Sequence, residues 1–140
     1  MNKDLIRVAI SPCPNDTFIF GAWLLGLVDQ GGVNARFSFA DVQELNDLAG
    51  ADDFDIIKVS AVKALKLADK YDILPYGGAF GLGDGPKIAS LPELEEEPET
   101  IAVPGMDTTA LALARACLGR DFKTLPMIFD KIVAAVQAGQ

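Results

Sequence analysis

Short apolar, β-branched runs alternate with stretches of helical character along this chain, and that alternation constrains its fold more than any other feature. Strands that follow one another through helices are joined by crossovers, and crossovers make neighbouring strands parallel. Residues 6–11 read as a short buried strand. Pro12-Cys13-Pro14 then forbids helix, and Asn15-Asp16 offers a cap to the apolar run 18–28. That run is hydrophobic nearly all round, which predicts a helix packed between other elements and not lying on a surface. Gly31-Gly32 ends it.

The unit then repeats in kind. Residues 35–40 alternate as a strand, 41–48 read as a short helix, 54–59 as a β-branched strand, and Ser60 opens a helix to about residue 68. Residues 73–76 are a further strand candidate, followed by the glycine-rich stretch 77–86 and a short strand around Ile88. Residues 91–100 change to Pro and Glu, with Glu93, Glu95, Glu96, Glu97 and Glu99 crowded together, as expected of a solvated boundary. Past it the pattern restarts: strand 100–103, a turn at Pro104-Gly105, and a helix 107–118 with Leu111, Leu113, Ala114 and Cys117 available for a buried side. A last helix carries Phe129, Ile132, Val133 and Val136 at i, i+3, i+4 and i+7, with Gly139 as its C-terminal cap. The expected organisation is an α/β chain with mostly parallel sheets in two lobes, 1–98 and 99–140. A helix of the last kind normally returns to a strand, so the second lobe is expected to be truncated.

Composition narrows the partners. A net charge of −8 repels nucleic acid and anionic membrane surfaces, which need clustered Lys and Arg, so neither is expected. The opening residues lack an export signal, and Cys13 and Cys117 have no framework spacing, so a reducing cytoplasm is expected. The glycine-rich stretch lacks the Gly-Lys-Ser/Thr ending of a phosphate loop. No Cys/His cluster exists for zinc, and the acidic run is contiguous, not spaced for calcium. Histidine is absent, so any proton abstraction by these 140 residues falls to Asp, Glu, Lys or Tyr. Cys13 would be nucleophilic only with a base, and a small buried apolar role suits it better.

In an open parallel sheet, ligands bind beyond the carboxyl ends of the strands. Three strand-to-helix corners carry suitable groups there: Ser11 to Thr17 with Asn15 and Asp16, then Lys58-Val59-Ser60, then Pro104 to Thr109 with Thr108. Each offers hydroxyls or amides and unpaired backbone N–H groups, which suit a carboxylate. Any one corner is explained by helix capping alone. Three on one edge predict a common cleft.

The motif Ser11-Pro12-Cys13-Pro14-Asn15-Asp16-Thr17-Phe18-Ile19-Phe20 resembles the opening of the 1,4-dihydroxy-6-naphthoate synthases, enzymes of the futalosine route to menaquinone. Asp41-Val42 with Leu45-Asn46, Lys58-Val59-Ser60, Gly77-Gly78-Ala79, Gly85-Pro86, Val103-Pro104-Gly105 and Thr108-Thr109 support it, in order. The resemblance covers about the first half of the family's usual length. It implies a fold similar to type II periplasmic binding proteins, with two α/β lobes about a cleft and a crossing between lobes near residues 99–101. It implies substrate contacts at Lys58, Val59, Ser60, Thr108 and Thr109, with Ser11, Asn15, Asp16 and Asn46 also on the cleft. The implied substrate is cyclic dehypoxanthine futalosine, a carboxylated nucleoside derivative, fragmented without metal or organic cofactor.

The resemblance places the family's proton-accepting His just beyond Gln140, so the chain as given is expected to be inactive and to self-associate through an uncovered sheet edge. Chorismate dehydratase, on the same fold, has a different opening motif. A solute-binding protein and an effector-binding module on this fold are the non-catalytic alternatives.

Overall fold

The computed structural model describes residues 5–94 and 96–139. Met1 to Asp4, Glu95 of the acidic run and Gln140 lie outside them. Strand β1 (Leu5–Ile10) is central in a three-stranded sheet, flanked by β2 (Asn34–Phe39) and β3 (Ile56–Ile57) in the order β2-β1-β3. Its last three residues, Val8, Ala9 and Ile10, are fully buried, as an apolar run in a central strand requires. Val8 pairs with Phe37 on one side and Ile56 on the other, both parallel. Crossovers are made by α1 (Pro14–Leu24) and α2 (Val42–Leu48), and α3 (Ala61–Lys66) follows β3.

A second sheet pairs β4 (Thr100–Val103) with β5 (Lys123–Pro126), also parallel, joined by α4 (Thr109–Cys117) and followed by α5 (Phe129–Gln137). All strand pairings among the described residues are thus parallel, the α/β arrangement that the alternation predicts. The side chains of Val8, Ile10, Leu45 and Leu111 form the deepest core. Burying each is worth roughly 1.5–3 kcal/mol. Among the described residues, no helix is long and apolar enough to cross a membrane.

Several expectations are corrected. Residues 54–59 shrink to the two ladder residues of β3, and 73–76 and Ile88 form no strand. Ile73, Leu74 and Ile88 are exposed, and a β-branched run becomes a strand only where a neighbour supplies a ladder. Helix α1 starts at Pro14, with Cys13 as its N-cap, and is not enclosed. Phe20 and Trp23 stack edge-on against Phe37 of β2, while Phe18 is 89% exposed and Leu25 73%. An all-round apolar helix needs partners on every side, and the described residues supply one. On α4, Leu111 is buried, but Leu113 and Cys117 are exposed because the helix packs through a narrower stripe. Gly139 ends α5 with φ 72°, as its capping role predicts.

Candidate functional site

The carboxyl ends of β1, β3 and β4 each lead into a helix, and side chains bond these corners to one another. At the first, Asp16 does not cap α1. It turns back, and its buried Oδ2 accepts from the Ser11 backbone N–H (2.9 Å) and hydroxyl (2.6 Å). Ser11 has one hydroxyl proton, so the Cys13 thiol 2.8 Å away is placed to donate to the Ser11 oxygen. Lys58, at the end of β3, reaches the same Asp16 carboxylate at 3.6 Å. Asn15 is exposed on the first turn of α1.

The second and third corners meet at Asn46. This side chain has no exposed surface. Its Oδ1 accepts from the Ser60 backbone N–H (2.9 Å), and its Nδ2 donates to Ser60 Oγ (3.1 Å) and to the Asp107 carbonyl (3.2 Å). Ser60 is the N-cap of α3 by backbone geometry but makes no side-chain cap bond. Thr109 Oγ1 accepts from the Val62 N–H at 3.4 Å, tying the start of α4 to α3.

The two threonines of the third corner differ. Thr108 Oγ1 donates to the Gly105 carbonyl (2.9 Å) and accepts from the Leu111 N–H (3.4 Å), so its hydroxyl is committed to capping α4. Such a cap is worth about 1 kcal/mol. Ser60 and Thr109 accept hydrogen bonds at their oxygens, which leaves each hydroxyl proton for an outside acceptor.

Asp107 anchors the strip. Lys66 Nζ lies 2.6 Å and Lys63 Nζ 3.1 Å from its carboxylate, and these ammonium groups, Lys66 first, hold its pKa below the usual carboxylate value. Its backbone N–H donates to Gln43 Oε1 at 3.3 Å. Gln43 lies over Gly105, where an added Cβ would fall 2.7 Å from Gln43 Cδ and 2.8 Å from its Cβ. Only glycine lets that side chain close over the corner.

The expected common cleft is not an enclosed pocket around all three corners. A depression of about 220 Å³ is lined by Asp41, Gln43, Pro104, Gly105, Pro126, Met127 and Ile128, and a second by α5 residues and Met127. Neither is lined by Asn15, Ser60 or Thr108. The corners form an open bonded strip, and the first depression adjoins it through Gln43, which both lines the hollow and bonds Asp107. Among the described residues, no three His, Cys, Asp or Glu side chains converge as metal ligands would.

Residues 6–140 match the protein family described as menaquinone biosynthesis. The chain belongs to that family. Two proteins named 1,4-dihydroxy-6-naphthoate synthase are among its menaquinone biosynthesis relatives. The one from Streptomyces coelicolor is 34% identical over all of this chain and 51% of its own length. The one from Thermus thermophilus is 34% identical over 98% of this chain and 50% of its own. The chain therefore spans about half the length of the curated relatives it matches. A crystal structure of an Archaeoglobus fulgidus protein superimposes with a TM-score of 0.88 at 34% identity, over 99% of this chain and 52% of that one.

Gln43, Lys63 and Lys66 are neighbours of the strip that sequence reasoning passes over, while Asp107, which falls within the third corner as a candidate helix cap, pairs instead with the two lysines. The i, i+3 spacing of Lys63 and Lys66 shows that they share a helix face, but their partner is more than 40 residues away in sequence. The β5–α5 corner at Met127 was equally unmarked, because it carries no polar group of its own.

Proposed function

We propose that the strip from Lys58-Val59-Ser60 to Thr108-Thr109 is the acid-gripping part of a 1,4-dihydroxy-6-naphthoate synthase, acting in the cytoplasm on cyclic dehypoxanthine futalosine. The observation that carries this reading is the direct bonding of strand-end corners through Asn46, in a chain whose two relatives bear that name. Ser60 and Thr109 each present a hydroxyl proton, and two such donors suit the two oxygens of a carboxylate. Lys58 adds positive charge at the Asp16 corner. Ser11, Asn15 and Asp16 shape that end of the strip, and Asn15 is the exposed group free to meet a ligand. The two parallel sheets, joined near residues 99–101, are the lobes of a type II periplasmic-binding-protein-like fold in this proposal, and the lyase chemistry is a base-initiated fragmentation.

Binding and proton transfer are separable here. These 140 residues contain no histidine, so the proposal assigns them the grip and assigns the proton acceptor elsewhere in the protein. The same absence favours a second reading, a non-catalytic solute or effector receptor on this fold. Incubating the chain with cyclic dehypoxanthine futalosine, while following both binding and 1,4-dihydroxy-6-naphthoate formation, tests both. Saturable binding without product is expected from these residues alone. Failure of the full-length protein to form the naphthoate, with tight binding retained, turns the case to the receptor, and failure to bind at all sinks both.

A further inference from the structure

Asn46 is completely buried, so it cannot reach a ligand lying on the open strip. Its amide orientation is fixed by partners whose roles cannot be exchanged. The Ser60 backbone N–H is only a donor and must face Oδ1, while the Asp107 carbonyl is only an acceptor and must face Nδ2. The second proton of Nδ2 then points at Ser60 Oγ and occupies a lone pair of that oxygen. Two consequences follow. The Ser60 backbone amide is spent inside the protein, so the anion grip at this corner is not made by that N–H. The Ser60 hydroxyl, accepting from Asn46, is turned so that its own proton faces away.

We propose that Asn46 is a positioning residue that fixes Ser60 as an outward hydroxyl donor and couples it to the β4–α4 corner. The proposal deepens, and rests on, the reading of the strip as an acid grip. The same bonds set the spacing between Ser60 and Thr109, because the Asp107 carbonyl that Asn46 holds lies two residues before Thr109. A loss at Asn46 therefore acts through Ser60 and the 107–109 corner, not through a contact of its own.

Asn46→Asp separates this from a general structural role. The carboxylate keeps the acceptor for the Ser60 N–H and the side-chain volume. It replaces the donor Nδ2 by an acceptor, so the Ser60 hydroxyl proton turns inward and is lost to the ligand. The probe is 1,4-dihydroxy-6-naphthoate, titrated by calorimetry into the full chain, Ser60→Ala, Asn46→Asp and the double variant. The single variants are each expected to weaken binding about tenfold, the equivalent of one hydrogen bond near 1.4 kcal/mol. The double variant is expected to lose less than the two single losses combined, since both changes remove the Ser60 donor and only the Asp107 tie is lost in addition. Wild-type affinity in Asn46→Asp, or a further tenfold loss in the double variant, overturns the proposal; the latter would mean that the new charge repels the ligand independently of Ser60.

Amide hydrogen exchange gives a readout that needs no ligand. The Ser60 N–H is expected to be protected in the wild type and in Asn46→Asp, and unprotected in Asn46→Ala while the β1 amides stay protected. A freely exchanging wild-type Ser60 amide would overturn the positioning role even if the probe binds. A protected Ser60 amide with no binding of the probe would instead overturn the acid-grip reading. Should Asn46→Ala fail to fold, Asn46→Asp alone decides.

Discussion

Asp107 shows how much of the strip rests on single side chains. Its carboxylate stands between Lys66 and Lys63, which depress its pKa relative to an unfolded aspartate near 3.9. A depressed folded value means that the stabilisation is fully present above the unfolded pKa and is lost as pH falls through the folded one. Thermal unfolding followed from pH 6 to about 2 should fall more steeply in the wild type than in Asp107→Asn below about pH 4, with parallel curves above it. Equal slopes below about pH 4 would show that the pairs contribute nothing. The exposed Arg7–Asp55 pair shifts in the same direction but is common to both proteins and cancels in the comparison. Residue types at the corners were legible in the sequence: Ser60 and Thr109 were singled out as polar groups at strand ends. Their hydroxyl orientation was not, because it depends on Asn46 and the Val62 amide, which the fold brings in from 14 and 47 residues away. Asn46 is expected on the cleft by resemblance and is fully buried, and an Asn in a sequence carries no sign of its burial.

At the scale of elements, the periodic signals held where a partner was present and failed where none was. Residues 5–10, 34–39 and 100–103 became strands because each found a parallel neighbour. Residues 73–76, of similar composition, found none among the described residues and stayed irregular and exposed. The apolar residues of α1 and the turn after it tell the same story from the other side: Phe18 on the helix and Leu25 and Leu27 just past its end face solvent, and among the described residues β2 is an outer strand ending in the half-exposed Phe39. Exposed apolar faces beside an open strand edge favour pairing between copies. Light scattering on the purified chain should therefore give a mass above the 14.9 kDa monomer that grows with concentration. A monomer that is stable up to high micromolar concentration would contradict this.

Across the whole molecule, two parallel sheets are tied at their carboxyl edges by the Asn46 bonds, the Lys63 and Lys66 pairs with Asp107, and the Val62–Thr109 contact. The ties concentrate polar groups of distant sequence on one edge, where the ends of parallel strands present them. Family membership and parallel α/β architecture were both legible, the first from a long opening motif and the second from alternation. The shape of the concavity was not legible, because it is set by Gln43 lying over Gly105 and by the β5–α5 corner. The central claim is that an acidic ring ligand is held on this edge by Ser60 and Thr109. Amide and side-chain NMR shifts of the labelled chain, followed during titration with 1,4-dihydroxy-6-naphthoate, test it most directly. The account predicts saturable shifts at residues 58–60 and 107–109, with α5 beyond its first turn unmoved. Shifts confined to the α5 surface, or no saturable shifts at all, would contradict it.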